Sequence, residues 1–246
     1  MNDIKIIAET PEYIMVDKPV GVMVHADIYN PENKDTLCMQ LLEKYPEIEG
    51  VGEEMVSNDG IVIKRPGIVH RLDKDTSGVM IIARTKEMHK NLKTQFKNKR
   101  IQKRYHTIVY GHFKVERGII DRPIGRSRAD FRRWTAEGGA RGKMRDAQTQ
   151  YRVVKQGYIG DEKVSLVEVF PKTGRTHQIR VHMRATGHAI VCDSLYAEGR
   201  ACLEGSERMM LHAKAIRFHN AIGEIVQYET EYPADFQKVL DGIVER

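Results

Sequence analysis

Apolar residues along the chain alternate with polar ones, or form short continuous runs, in many separate segments. Alternation is typical of a half-buried strand, and a short apolar run of a strand buried on both faces. These patterns predict strands at residues 4–8, 13–17, 22–24, 79–83, 105–110, 147–154, 164–169, 213–218 and 225–232. The run at 79–83, Val-Met-Ile-Ile-Ala, predicts a fully buried strand.

Helical spacing of apolar residues predicts fewer elements. The residues with this spacing are Leu37, Leu41 and Leu42; Met88, Leu92 and Phe96; and Phe236, Val239, Leu240 and Ile243, which follow Pro233. Residues 177–186 fit either a strand or a helix, because their apolar positions alternate while Arg180 and Arg184 share a helical face. Thr176 as N-cap and Gly187 as C-cap favour a helix.

Many strands with few helices between them predict an α+β fold with a mixed, mostly antiparallel central sheet and flanking helices. Residues 47–67, rich in glycine and acidic residues, are predicted as a loop region. The chain has no G-x-G-x-x-G or Walker A sequence, which gives little support to a dinucleotide-binding or P-loop protein.

Composition narrows the class of protein. The chain has 246 residues, of which 41% are hydrophobic, so it can bury a substantial core and is not a disordered chain. No apolar run reaches the roughly 18 residues of a membrane span, and no secretory signal opens the chain. Cys38, Cys192 and Cys202 are an odd number without C-x-x-C spacing, which argues against a disulfide framework. We therefore expect a soluble, cytoplasmic protein.

Charge points to a polyanionic partner. The formal net charge is +6, and the basic residues are clustered. Residues 97–104 contain no acidic residue, and residues 126–133 hold four arginines against one aspartate. One such run is ordinarily a solvated surface, but two runs in a basic chain favour nucleic acid.

Three polar segments are candidates for chemistry. In the first, residues 70–78, Arg71 and Lys74 flank carboxylates directly before the buried strand, which fits either a turn or a carboxylate kept ionised by nearby cations. The second, residues 172–184, fits a surface helix or an anion-binding helix. A metal site there would draw on His177, His182 and His188, whose spacing places them on different helical faces. In the third, residues 103–111, Tyr105 fits either a core position or a platform for a nucleobase.

Together these segments resemble one family, the RluA-type pseudouridine synthases. Residues 70–78 read H-R-L-D-K-D-T-S-G, similar to the family signature H-R-L-D-x-x-T-S-G, and residues 174–182 read G-R-T-H-Q-I-R-V-H, similar to a second block. Residues 13–25, 103–111 and 211–218 resemble the family's opening, K-x-Y strand and closing strand. Thr107 departs from the pattern, which usually has Ala there, and residues 27–64 match no motif.

The resemblance implies an enzyme that isomerises uridine to pseudouridine within RNA, with no cofactor or metal. It assigns catalysis to Asp73, as nucleophile or base, to Tyr105, which stacks on the uracil, and to Arg175, which pairs with Asp73. Leu211 lines the base pocket, and Arg71 occupies the space that the flipped nucleotide leaves. We expect Lys74 and Arg180 to contact phosphates or to serve as structural charges, and Asp75 to be a turn residue.

The resemblance also implies a pseudouridine synthase fold with a catalytic cleft. We expect residues 1–246 to form a single catalytic domain without an N-terminal S4 domain, and we expect its basic surface to bind most of the RNA. Ribosomal large-subunit RNA is slightly favoured over tRNA, and a monomer is expected. Two alternatives remain: an RNA-binding protein of this fold without activity, and a metal-dependent nuclease that uses Asp73, Asp75 and Asp193.

Overall fold

The computed structural model describes residues 4–27, 30–57 and 60–246. In chain order, the elements are β1 (Lys5–Glu9), β2 (Tyr13–Lys18), α1 (Leu37–Lys44), β3 (Met55–Val56), β4 (Val62–Ile63), β5 (Ser77–Ala83), α2 (Lys86–Lys97), β6 (Gln102–Tyr110), β7 (Arg117–Asp121), β8 (Ile124–Ser127), β9 (Trp134–Thr135), β10 (Ala140–Arg145), β11 (Gln148–Ile159), β12 (Glu162–Pro171), α3 (Gln178–Ala185), β13 (Leu211–His219), β14 (Ile225–Glu229) and α4 (Ala234–Asp241). A 3₁₀ turn at Pro46–Ile48 follows α1.

The chain divides into two compact units. The first comprises residues Met1–Gln102 and Ala215–Thr230, and the second comprises Lys103–Lys214 and Glu231–Arg246. The pairs β1–β2, β2–β5 and β13–β14 of the first unit and the pairs β6–β12, β12–β11 and β11–β7 of the second are antiparallel, in line with the predicted mostly antiparallel sheet. The fold class predicted from the sequence is confirmed, and a single catalytic domain stays a prediction.

The first unit is organised around β5. All seven residues of β5 are buried, and β2 pairs with it from Tyr13 opposite Ala83 to Lys18 opposite Gly78. Helix α2 buries Met88 and Leu92, which lie one turn apart, in the same core. The helix begins after Thr85, whose side-chain oxygen accepts a hydrogen bond from the Met88 N–H.

The second unit contains the sheet order β6–β12–β11–β7. Strand β6 pairs with β12 from Tyr105 opposite Val169 to Tyr110 opposite Val164. Its main hydrophobic core includes residues of β6 and β12, of α3 and α4, and Leu211 at the start of β13. A separate small sheet has the order β10–β8–β9.

The four predicted helices are confirmed, and one predicted strand is wrong. Residues 22–24 form no strand, because the carbonyl oxygens of Met23 and Val24 accept hydrogen bonds from the N–H groups of Leu37 and Cys38 at the start of α1. Strands β3 and β4, which lie in the segment predicted as a loop, and strands β7–β10 were missed. The segment of β7–β10 is rich in arginine and glycine and lacks the period-two pattern that predicts a strand.

The cysteines require a second correction. Cys192 and Cys202 form a disulfide, with their Cα atoms 4.6 Å apart, while Cys38 is free and buried. Turns in the segment between Cys192 and Cys202 bring the two residues together. Neither the number of cysteines nor their spacing along the chain reveals such a turn. No helix in the described part of the chain is long and apolar enough to cross a membrane.

Loss of the Thr85 cap should destabilise the first unit. Thr85→Ala leaves the Met88 N–H without its side-chain acceptor, so we expect the free energy of unfolding to fall by about 1 kcal/mol. Thr94→Ala is the matched control, because Thr94 is an exposed residue within the same helix. Urea denaturation measures both, and equal losses in the two variants would contradict the capping role.

Candidate active site

Asp73 lies in a turn that leads into β5. Its carbonyl oxygen accepts a hydrogen bond from the Thr76 N–H at 3.1 Å, and Leu72 beside it is buried in the protein. The Asp73 side chain is half-buried, whereas Arg71, Lys74 and Asp75 are exposed. The turn therefore combines an anchored backbone with two exposed cations next to one partly shielded carboxylate.

Lys18 holds this turn through hydrogen bonds to its backbone, a role that was not predicted from the sequence. Its side chain is fully buried, and its Nζ donates to the carbonyl oxygens of Pro19, Val22 and Lys74 at 2.8, 2.7 and 3.0 Å. The Gly21 N–H donates to the same Lys74 oxygen at 3.0 Å. A buried cation needs such acceptors, so Lys18 fixes the residue directly after Asp73. The available signal was a lysine at the end of a strand whose first four residues are hydrophobic.

His70 also holds the turn in place. Its Nε2 accepts a hydrogen bond from the Ile81 N–H at 3.2 Å, and its ring packs 5.1 Å from that of Phe96. Accepting this hydrogen bond requires that Nε2 carry no proton. The histidine of the H-R-L-D segment thus connects the turn to β5 and α2.

In the second unit, Tyr105 and Leu211 pack in the same hydrophobic cluster. Tyr105 is half-buried on β6, opposite Val169 of β12. Leu211 is the first residue of β13 and is buried. Both residues that the sequence predicts for the uracil pocket therefore contribute to one hydrophobic core.

Arg175 lies in a loop that the buried Gln178 organises. The Gln178 Oε1 accepts from the Thr173 hydroxyl at 2.7 Å and from the Arg175 N–H at 3.0 Å. The Arg175 Nε donates to the carbonyl oxygen of Asp146 at 2.9 Å. Gln178 is a second residue that sequence analysis missed, because a glutamine at the start of a helix resembles a surface residue. Pairing of Arg175 with Asp73 stays a prediction.

The caps of α3 differ in part from the prediction. The N-cap is His177, in the left-handed conformation with φ +55°, and Thr176 does not fill that position. The turn that Gln178 ties to Thr173 and Arg175 sets this geometry. Gly187 lies just beyond the C-cap with φ +81°, and its N–H donates to the Arg184 carbonyl oxygen, as a helix-terminating glycine does.

Arg180 is a buried structural charge. Its Nε and Nη2 donate to the two carboxylate oxygens of Asp193, each at 2.7 Å. The Asp193 Oδ1 also accepts from the Leu195 N–H. Of the two roles that sequence analysis left open for Arg180, this geometry fits the structural one. It also argues against the nuclease alternative, in which Asp193 binds a metal.

The three histidines considered for a metal site have separate partners. His177 Nδ1 contacts the Tyr196 hydroxyl, His182 contacts Thr149 and the Arg122 carbonyl, and His188 contacts the Tyr110 carbonyl. Across residues 4–27, 30–57 and 60–246, no group of three or more His, Cys, Asp or Glu residues is arranged to hold a metal ion.

Two buried histidines directly follow the predicted pocket residues. His106 contacts Glu168 through Nε2 at 3.2 Å and the Tyr232 hydroxyl through Nδ1, and burial lowers its pKa to about 4. Burial, with the charges of Arg208 and Lys214, lowers the pKa of His212 to about 3. Both rings therefore remain neutral around pH 7.

The basic residues of the run at 97–104 differ in their exposure to solvent. Lys97, Lys99 and Arg100 are exposed, whereas Lys103 donates to the Thr173 carbonyl at 3.0 Å, and burial lowers its pKa to about 8. A longer basic surface lies along α2. This lysine stripe consists of Lys86, Lys90, Lys93 and Lys97, which are all exposed and recur with helical spacing.

The basic residues at 126–133 lie on the small sheet and the loop between β8 and β9. Arg126 lies over the Trp134 ring at 5.3 Å, and Arg132 and Arg133 pair with Asp130. Arg128 is exposed. Part of the charge in this run is therefore neutralised locally by an acidic residue.

Comparison with known proteins assigns the class. The family model for RNA pseudouridylate synthase matches residues 12–185. A ribosomal large subunit pseudouridine synthase D from Zymomonas mobilis is 35% identical over 242 residues, covering 95% of this chain and 71% of the relative. The chain therefore belongs to the RNA pseudouridylate synthase family and is an isomerase that converts uridine to pseudouridine in RNA.

Other similar proteins have names that place them in the same family. A dual-specificity RNA pseudouridine synthase RluA from Vibrio vulnificus is 33% identical over 217 residues, covering 88% of this chain and 78% of the relative. A solved structure of human RNA Pseudouridylate Synthase Domain Containing 1 superimposes with a TM-score of 0.72 at 29% identity, covering 94% of this chain and 84% of that one. The predicted pseudouridine synthase fold is confirmed.

The buried histidines predict a loss of stability in acid. Because their folded pKa values lie below the ordinary 6.5, the unfolded chain binds protons first as the pH falls. Stability should be unaffected above about pH 6.5 and fall below it, by up to about 1.4 kcal/mol per pH unit for each histidine. Urea denaturation between pH 7.5 and pH 5 measures this slope.

His212→Phe provides the comparison, since the site already contains the rings of Tyr232 and Phe236. The variant removes one titrating group, so its stability should fall less steeply with acid than that of the wild type. Identical slopes for the two proteins would show that His212 does not contribute.

Proposed function

We propose that Asp73, Tyr105 and Arg175 are the catalytic residues for uridine isomerisation and that large-subunit ribosomal RNA is the substrate. The observation that carries the proposal is the anchored turn of Asp73. Buried Lys18 and the Thr76 hydrogen bond hold its backbone, while its carboxylate stays half-buried beside the exposed Arg71. Such a fixed carboxylate is suited to act at the sugar of a nucleotide that has left its stack.

The reaction breaks the N1–C1′ glycosidic bond, turns the uracil and joins C5 to C1′. C5 then releases its proton and N1 takes up a proton, so the product is an isomer of the substrate. In this proposal Asp73 acts at the sugar as nucleophile or base, and Arg175 is the cation that the family motif assigns to it. Tyr105 stacks on the uracil while Leu211 covers its other side, which keeps the detached base in place. No cofactor enters these steps.

Binding of the RNA backbone is assigned to exposed cations. Arg71 projects beside Asp73 and can stack in the vacancy that the flipped nucleotide leaves. Lys74 and the lysine stripe of α2 contact phosphates in this proposal. In this proposal the enzyme is a monomer that acts in the cytoplasm.

The choice of ribosomal RNA follows the relatives. One is named a ribosomal large subunit pseudouridine synthase, and another is named dual-specific. Large-subunit RNA and tRNA, each labelled with tritium at C5 of uridine and offered separately, distinguish the two substrates. Faster release from tRNA would overturn this choice and leave the assigned chemistry in place.

Replacing Asp73 should abolish isomerisation. Asp73→Asn removes the ionised carboxylate but keeps its size, so we expect tritium release to fall by ~10³-fold or more. Asp75→Asn is the matched control from the same turn, and it should retain activity within about twofold because Asp75 is an exposed turn residue. Full activity of Asp73→Asn would refute the assignment.

Reversing a charge in the lysine stripe should reduce the salt dependence of RNA binding. Each lost phosphate contact lowers the slope of log Kd against log salt by about one. We therefore expect a shallower slope for Lys90→Glu and for Lys97→Glu. Lys238→Glu on α4 changes net charge equally and should leave the slope unchanged, so identical slopes in all three variants would exclude the stripe.

A further inference from the structure

Three successive carbonyl groups at the start of β13 accept hydrogen bonds from side chains. The Arg208 Nη1 donates to the carbonyl oxygens of Met209 and Leu211, each at 3.1 Å. The Thr107 hydroxyl donates to the Met210 carbonyl at 2.8 Å. Thr107 is fully buried and Arg208 is 9% exposed, so both donors act away from solvent.

Arg208 is itself fixed by an ion pair. Its Nε and Nη2 donate to the two carboxylate oxygens of Asp235, at 2.6 and 3.1 Å. Asp235 lies in the first turn of α4, where its Oδ1 also accepts the Phe236 N–H at 2.7 Å. A guanidinium held at both edges is rigid, so the carbonyl groups that it bonds are held in place.

Thr107 connects this segment to the strand of the predicted catalytic tyrosine. Residues two apart on a strand face the same side, so Thr107 and Tyr105 share one face of β6. The N–H of Ile108 also donates to the Met210 carbonyl, at 3.1 Å. The backbone before Leu211 is thereby bonded to β6 by both a side chain and a main-chain group.

We propose that Thr107 and Arg208 are positioning residues, here called the carbonyl clamp, that set the separation of Leu211 and Tyr105. This proposal rests on the function proposed above, in which the two residues hold the detached uracil. Turning the base requires a pocket of constant width, and displacement by about 1 Å can cost up to 100-fold in rate. The clamp does not contact phosphates, so it should affect kcat and not RNA affinity.

Thr107→Val tests the hydroxyl directly. Valine is nearly the same size but cannot donate to the Met210 carbonyl, so we expect kcat for tritium release to fall about 10-fold with KM within about twofold. Thr107→Ser keeps the hydroxyl and should restore most of the rate. Ser165→Ala is the matched control, because Ser165 is fully buried in the same unit and donates to the Gly111 carbonyl at 2.7 Å.

Arg208→Lys tests the other half of the clamp. Lysine keeps the charge but cannot bond Asp235 and two carbonyl groups at once, so kcat should again fall about 10-fold at unchanged KM. Asp235→Asn should give a smaller loss in the same direction, because the guanidinium stays but is held less firmly. A loss confined to KM in these variants would overturn the proposal.

Amide hydrogen exchange gives a readout that is independent of activity. Protection at Met210 and Leu211, whose N–H groups donate to Val191 and Met209, should fall in Thr107→Val and persist in Ser165→Ala. Unchanged protection, or reduced protection with an unchanged kcat, would refute the clamp. Tritium release that does not depend on Asp73 would refute the proposed function instead of the clamp. In that case the amide exchange data would still decide whether the clamp holds Leu211 in place.

Discussion

The fully buried ammonium group of Lys18 imposes the constraint on which the candidate catalytic turn depends. A cation without water must bond to acceptors, and Lys18 finds three carbonyl oxygens in the backbone around it. One of them belongs to Lys74, so the charge that terminates β2 also fixes the turn that carries Asp73. The position of the carboxylate thus depends on the burial of a lysine that takes no part in the proposed chemistry.

The second unit supports its predicted site residues in the same way. Buried Gln178 bonds both sides of the Arg175 loop, and Arg208 and Thr107 bond the carbonyl groups next to Leu211. In each case a polar side chain forms hydrogen bonds with backbone groups at or beside the predicted site residue. Such bonds hold the backbone of the residues to which the proposal assigns catalysis.

The charges of the protein fall into two groups with different physical roles. Arg180 and Arg208 are buried and form paired hydrogen bonds with Asp193 and Asp235, so their charges are neutralised within the fold. The lysine stripe of α2 is exposed, where an ion pair such as that of Lys93 with Glu53 is weak and can give way to contacts with a polyanion. An RNA-modifying enzyme needs both, because phosphate binding and a stable pocket place opposite demands on a cation.

The sequence alone determined the class of fold, the four helices, most of the longer strands and the family, because these depend on local periodicity and on contiguous motifs. Asp73, Tyr105, Arg175 and Leu211 were accessible through those motifs, although their catalytic roles stay proposals. Tertiary structure decided what periodicity does not encode. It buried Lys18 among three carbonyl oxygens, paired Arg180 with Asp193 and joined Cys192 to Cys202 in a disulfide. Whether a polar residue meets solvent or a buried partner depends on how the turns and loops around it fold, which only the three-dimensional structure shows.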